Sequence, residues 1–431
     1  TASELLRRGS RQVDQLEDQP IVQATMFDVL GRVHRSLGEY AEARRLLERA
    51  LELRIQHRGE QHPDVAQTLY QLAGVQRYQG LFPEAESNAR KALGILEQWP
   101  NPNPIDLTES LIQVSMLIVY RGNLVESDSF AQRALQVSRL APESNVNVRV
   151  RALIQQASID RRQGDDATSE ANLRLAHTLA GKAVGPDHPD AIDALLQLGY
   201  TLIDQPARLI EAESIFRTAI DARRRTLGAE HYQLGHVYGD LGRSLQLQNR
   251  NEEALPYFRQ SYMIQERALG RQHPMMADVM TGLGGALDRA GQYEEADSIL
   301  RAALTLAERT YGLQHTNTAG VMRGLATVLT HRRQFDEAER MLRRAISIRA
   351  GLGGPNTPLM AVMNGDLAEL MIGRGDYAQA EPLLQQASTI LDSYKIPRTH
   401  TDYRTVLNHF VRLYEAWGKP AEAARFRQND G

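Results

Sequence analysis

A short motif returns along this chain at a nearly constant interval, and that periodicity restricts the fold more than any other feature. Gly38-Glu39-Tyr40-Ala41-Glu42-Ala43 is echoed by Gly80-Leu81-Phe82-Pro83-Glu84-Ala85, Gly291-Gln292-Tyr293-Glu294-Glu295-Ala296, Arg333-Gln334-Phe335-Asp336-Glu337-Ala338, Gly375-Asp376-Tyr377-Ala378-Gln379-Ala380 and Gly418-Lys419-Pro420-Ala421-Glu422-Ala423. The last residue of each copy falls at Ala43, Ala85, Ser127, Ser169, Ala212, Ala254, Ala296, Ala338, Ala380 and Ala423, so neighbours lie 42 or 43 residues apart. A unit of that length buries its apolar face only against its neighbours. The 431 residues are therefore expected to form one long array instead of several globular domains.

The anchor position has restricted chemistry. Seven residues after the first nine anchors stand Ala50, Ala92, Ala134, Ala176, Ala219, Ser261, Ala303, Ala345 and Ala387, all small. Two small residues seven apart share one helical face, where a second helix can approach closely. Between them lie larger groups, Leu47, Leu173, Phe216, Phe258, Leu300, Leu342 and Leu384, which fill the space beside the contact. Aromatic content of only 6%, with abundant Ala, Leu, Arg, Glu and Gln, favours helix throughout, and no β-rich segment stands out.

Residues 1–17 carry Leu5, Leu6, Val13 and Leu16 at helical spacing and are expected to form a lone helix capping the open end of the array. The repeats occupy 18–431. In each, a first helix carries a close-contact pair such as Leu30-Gly31, Leu72-Ala73, Leu198-Gly199, Leu241-Gly242, Leu283-Gly284, Leu325-Ala326 or Leu367-Ala368. A short, often Gly-bearing turn then leads to a second helix, which packs back as a hairpin. Linkers such as Gly59-Glu60-Gln61-His62-Pro63-Asp64 and Gly185-Pro186-Asp187-His188-Pro189-Asp190 stop one helix with Gly and open the next with Pro and Asp. Repeats three and four are the most degenerate, with serine anchors, and an extra residue at Asp204–Arg208 should lengthen one turn.

These residues carry a family likeness. Leu-Gly or Leu-Ala, then Gly-x-Tyr/Phe-x-Glu-Ala, then Ala seven later, resembles the tetratricopeptide repeat. The long period and the Gly-x-x-His-Pro-Asp linker resemble the subtype of kinesin light chains. The likeness covers about residues 18–430 and implies an all-α, right-handed superhelical solenoid of about ten repeats, whose first helices line a concave groove for peptides or protein segments. A second likeness lies at the N-terminus. Ala2–Leu6, Asp18-Gln19-Pro20, Gln23-Ala24 and Leu30-Gly31 through Ala43 resemble the segment that follows the kinase domain in bacterial serine/threonine kinases. No Gly-rich nucleotide loop, His-Arg-Asp or Asp-Phe-Gly is present, so a kinase would lie upstream of this chain.

Other chemistries find little support. With no cysteine there is neither disulfide nor thiolate nor cysteine metal site. A net charge of −3 gives no basic field for nucleic acid. The longest apolar run, Leu111–Tyr120, is half a membrane span. No basic, apolar leader opens the chain, and its first residue is not Met, which points to a processed chain or a fragment. His62, His188, His231, His273, His315 and His400 recur one per repeat, too far apart to share an ion, and are expected to serve the turns. Gly282–Gly285 and Gly351–Gly354 lack the strand or the Gly-Lys-Ser/Thr ending of phosphate loops, and are read as close packing and as a helix stop. No cofactor, metal site or catalytic group is expected, and Asp165-Asp166 is placed in a turn.

If the tetratricopeptide geometry holds, the residue before each Leu-Gly pair faces the groove. Gln71, Gln113, Gln155, Gln197 and Asp240 occupy it in five consecutive repeats, and an amide can pair both donor and acceptor of an extended peptide. Arg32, Arg35, Tyr70, Arg77, Tyr78, Tyr120, Arg151, Arg161 and Arg162 stand nearby in the first four repeats. Tyr and Arg are frequent interface anchors and suit an acidic or phosphorylated segment. Later repeats put Gly282 and Gly324 at the ladder position, with Asp278, Asp288, Arg289 and His331 near. The resulting expectation is a non-catalytic, protein-binding scaffold within a bacterial signalling protein. The alternatives are the regulatory region of a bacterial serine/threonine kinase, or a module that self-associates. It is placed in the cytoplasm, or on the extracytoplasmic side if joined to a membrane-spanning kinase.

Overall fold

The structure, a computed structural model, describes residues 13, 16, 18–398 and 400–427. Among these there are twenty α-helices and no strand. In chain order they are α1 (Pro20–Ser36), α2 (Tyr40–Arg58), α3 (Pro63–Tyr78), α4 (Phe82–Gln98), α5 (Pro104–Tyr120), α6 (Leu124–Ser138), α7 (Val146–Arg162), α8 (Asp166–Val184), α9 (Pro189–Ile203) and α10 (Leu209–Leu227). There follow α11 (Tyr232–Leu247), α12 (Asn251–Leu269), α13 (Met276–Arg289), α14 (Tyr293–Tyr311), α15 (Thr316–His331), α16 (Phe335–Gly353), α17 (Pro358–Arg374), α18 (Tyr377–Ser393), α19 (Thr401–Ala416) and α20 (Pro420–Arg427). Odd-numbered helices are the first, and even-numbered the second, of ten hairpins. The fold is an all-α helical solenoid. The expected capping helix at 1–17 lies outside the described residues, apart from Leu16 and Val13, the latter packing with Phe27, Leu46 and Ala50.

The helices group into two compact units, Thr1–Gln197 and Leu198–Gly431, the division falling within α9. In unit 1 the core is made by α1–α8, as where Leu111, Val114 and Leu117 of α5 meet Ala85 and Ala89 of α4 and Ala134 of α6. In unit 2 the same register brings Met276 and Met280 of α13 against Ala303 and Leu306 of α14 and Val321 of α15.

All ten anchors are fully buried, the two serines included. Their small size matters because in the first nine repeats the partner helix carries Gly, Ala or Ser at the facing position, Val411 standing there in the tenth. In repeat three both members are serine. Ser115 Oγ donates to the Ser127 carbonyl at 2.9 Å and Ser127 Oγ to the Ser115 carbonyl at 2.8 Å, so the close contact survives with its hydroxyls satisfied. The knobs beside it, Leu47, Phe216, Leu300 and Leu384, are wholly buried, each worth roughly 1.5–3 kcal/mol of apolar transfer.

The linker histidines cap helices. Nδ1 of His62, His188, His231, His273, His315 and His400 accepts the amide of the residue two further on, at 3.0–3.3 Å. The glycine ahead of the first five, Gly59 for example at φ +86°, ends the preceding helix in a conformation that side chains disfavour, while ahead of His400 it is Lys395 that holds a positive φ, +54°. Gly354 ends α16 in the same way, as the helix-stop reading requires. Arg333 holds φ +59° and Asn249 φ +61° where most of the equivalent turns have glycine. The inserted residue before α10 forms a 3₁₀ turn at Pro206–Arg208.

The cap at His315 predicts a pH dependence. Burial, with Arg349 adding to it, pushes this imidazole down to about 4. A depressed folded value means the contribution to stability is complete above the unfolded value near 6.5 and is lost as pH falls toward 4. His315→Asn keeps a capping oxygen but cannot titrate. Urea unfolding at pH 7 and pH 4.5 should show the wild type losing about 2 kcal/mol more than the variant, after allowance for solvent contact. Equal losses would remove His315 from the acid response.

Candidate functional site

In unit 1 the first helices α1, α3, α5 and α7 lie side by side, each touching the next. Register places three of the four ladder glutamines between them. Arg35 Nη1 donates to Gln71 Oε1 at 3.0 Å, Gln113 Nε2 to the Tyr70 carbonyl at 3.0 Å, and Gln155 Nε2 to Ser115 Oγ at 3.0 Å. Gln113 and Gln155 are buried and Gln71 half-buried, so their amides tie each repeat to the one before. Gln197 is half-buried on α9. Gly74 sits where these groups converge. A Cβ there would lie 3.1 Å from Arg35 Nη1 and 3.6 Å from Gln113 Nε2.

Several of the remaining residues are engaged within the array. Arg151 donates through Nε to Glu109 Oε1 at 2.7 Å, one repeat back. Arg32 pairs with Asp28 on its own helix at 3.2 Å. Tyr70 is half-buried, and burial, followed by Glu109, pushes its hydroxyl above the ordinary phenol range.

A different arrangement occupies the C-terminal ends of α3, α5 and α7. Tyr78, Tyr120 and Arg162 share one register position, and Arg77 and Arg161 share the position before it. The exposed Tyr78 ring stacks on Tyr40, centroids 5.2 Å apart, and the exposed Tyr120 ring stacks on Phe82 at 4.4 Å. Tyr40 and Phe82 are the aromatic residues of the repeat motif itself, so the motif that closes each hairpin also props a tyrosine of the next repeat. The Arg77 guanidinium lies 4.3 Å from the Tyr78 ring centroid, within hydrogen-bonding reach of both tyrosine hydroxyls. Arg162 also lies within electrostatic reach of Tyr120. Among the described residues Arg77 and Arg162 form no ion pair with a carboxylate, while Arg161, half-buried beside Arg162, has contacts of its own. Unneutralised guanidiniums framed by stacked rings can receive an anion and an apolar group together. Repeat spacing exposed these residues as neighbours in register; their stacking on Tyr40 and Phe82 depends on the approach of one repeat to the next, which spacing does not show.

Unit 2 is differently balanced. Asp240 accepts from the Tyr200 hydroxyl at 2.6 Å, and burial pushes its carboxyl up to about 6 despite that bond. His331 Nδ1 meets Asp288 Oδ1 at 2.7 Å, a bond that raises the imidazole's pKa. Arg289 donates to Gln246 at 2.7 Å, Arg323 pairs with Asp366, and Arg412 with Glu369 at 2.6 Å. These cations are satisfied across adjacent repeats. Gly284, in the glycine-rich stretch, sits tight against Leu300, which is the close-packing role expected of it.

The tetratricopeptide repeat profile matches residues 22–98, 207–267, 275–350 and 317–393, more than half the chain. This chain belongs to the tetratricopeptide repeat family. No curated protein matches it. Among solved structures it is similar to the Rap conjugation gene regulator of the plasmid pLS20 in complex with the Phr* peptide, at 16% identity, covering 85% of this chain and 96% of that one, with a TM-score of 0.55. The Rap protein complexed with competence and sporulation factor gives 12%, 83%, 98% and 0.50. The nearly identical TPR-like repeats attributed to a kinesin light chain of Podosopora anserina give 22%, 49%, 99% and 0.39. At these identities the likeness is one of fold. No described helix of this tetratricopeptide protein is long and apolar enough to cross a membrane.

Proposed function

We propose that this tetratricopeptide chain is a non-catalytic scaffold that holds an acidic or phosphorylated segment of a partner protein at the ends of α3, α5 and α7. The observation that carries the reading is the pair Arg77 and Arg162, without a carboxylate partner among the described residues, beside the stacked Tyr78 and Tyr120. Each guanidinium supplies a fork of donors matched to a carboxylate or phosphate, and the rings supply area that costs little side-chain entropy. Two structures of the same fold hold a peptide or a factor, which supports segment binding as the mode. The place of the scaffold in a bacterial signalling protein rests on the resemblance of Ala2–Ala43 to kinase-linked segments.

The test is selection from a randomised peptide library presented with and without phosphorylated serine. Enrichment of acidic or phosphorylated sequences is expected, with affinity falling as salt rises. Replacing both arginines by glutamate should weaken the selected peptides by about a hundredfold, roughly tenfold for each lost charge-assisted contact. Peptides that bind the double variant equally well, or a library that yields none, would overturn the proposal.

A further inference from the structure

We propose that unit 2 carries a second site, independent of the first, for a small organic carboxylate with an apolar body. A cavity of about 450 Å³ opens where α10 and α12 meet the Gly228–His231 linker and the start of α11. That is within the range of small-molecule sites. Arg224, Ala229, Tyr238, Met263 and Arg267 line it.

Three features of the sequence converge there. Ala229 stands where the other linkers of this frame carry Glu60, Pro186, Arg271 and Leu313, so the smallest side chain leaves the opening. Met263 stands where the second helices otherwise have Glu52, Gly94, Gln136, Thr178, Asp221, Thr305, Ser347 and Thr389, and it is 55% exposed. Arg224 stands where the two following repeats have Glu266 and Glu308. At this corner the small Ala229, the apolar Met263 and the cationic Arg224 stand together around the opening.

The chemistry follows from the lining. Arg224 Nη2 donates to the buried Tyr238 hydroxyl at 2.6 Å, and among the described residues the guanidinium has no carboxylate partner. That bond fixes the guanidinium over the cavity, while the tyrosine hydroxyl keeps its own hydrogen to donate. Arg267 at the rim pairs with Glu230, so two guanidiniums face a single carboxylate. A ligand carboxylate would take the free edge of Arg224 and the Tyr238 hydroxyl, with its apolar body against Met263 and Ile264.

The experiment follows the Met263 methyl resonance in protein labelled at methionine methyls, titrated with sodium octanoate and, separately, with octan-1-ol. Octanoate should shift the signal saturably and bind about tenfold more tightly than the alcohol, because the alcohol lacks the charge. Arg224→Gln should remove that tenfold preference with helicity unchanged. Ala229→Leu, which restores the bulk present at Leu313, should abolish the shift. The proposal is overturned if Met263 does not respond to octanoate up to about 10 mM, or responds equally to both probes, or if either variant behaves as the wild type.

Discussion

Gly284→Val is expected to destabilise unit 2 by about 3 kcal/mol. An ideal Cβ at Gly284 of α13 would sit 2.5 Å from Leu300 Cγ and 2.8 Å from Leu300 Cδ2. Leu300 is wholly buried on α14, four residues after the equally buried anchor Ala296, so it has nowhere to retreat. The same contact recurs at Gly31 with Leu47, Gly199 with Phe216 and Gly242 with Phe258, at 2.7–2.8 Å. Ala326 and Ala368 occupy the position opposite Leu342 and Leu384, so the register can be built around a methyl, and Gly284→Ala, which brings only the Cβ against Leu300, should cost less than valine. Valine adds two further methyls to a space that holds none. Combining Gly284→Val with Leu300→Ala should recover part of the loss, since the cavity of one accepts the excess of the other. Urea denaturation read by circular dichroism measures all four proteins. A valine variant within 0.5 kcal/mol of wild type would contradict the close-contact account of the repeat.

Arg54→Met should cost about 3 kcal/mol at pH 7.5 and less at pH 5. Asp28 and Arg54 are both buried, at 3% and 5% exposed, with Arg54 Nη1 at 3.5 Å from Asp28 Oδ1. Nη1 also donates to Thr68 Oγ1 at 2.6 Å and to the Asp64 carbonyl at 2.9 Å, so this arginine ties α2 to both its own first helix and the next. Burial already holds the Asp28 carboxyl above its usual value, with Arg54, Arg32 and Arg35 acting against it. Methionine matches the stem of arginine but leaves the carboxylate with the Arg32 ion pair at 3.2 Å and the more distant Arg35. The folded-state value then rises further. A raised carboxyl contributes stability that is present below the unfolded value and is lost as pH rises through the folded one, so the variant's deficit must grow from pH 5 to pH 7.5. Adding Asp28→Asn should remove that pH dependence. A deficit independent of pH would mean that Asp28 is not the group left stranded.

Much of the architecture was legible because it is periodic. The anchor alanines, the small residue seven later and the larger knob between them encode a close helix contact locally, and repetition in register multiplies that signal over ten copies. The linker histidines were placed in turns by their one-per-repeat spacing, and their Nδ1 caps follow from that position. The side chains on the first helices were less legible. An amide at Gln113 reads equally as a peptide contact or as a bridge to the preceding repeat, and only the lateral approach of α3 to α5 brings its Nε2 to the Tyr70 carbonyl.

The sequence by itself determined the repeat length, the helix pairs, their caps and the identity of the buried contact, since each depends on residues a few turns apart. Tertiary structure decided which polar groups are spent inside the array and which remain available. Arg35 and Arg77 occupy the same register, yet one reaches Gln71 and the other lies over Tyr78. Among the described residues Arg224 reaches the Tyr238 hydroxyl and no carboxylate, while Glu230 on the same cavity pairs with Arg267. Pairing of that kind depends on distances between residues tens of positions apart, and a repeat period carries no information about which of two equivalent arginines finds an acid.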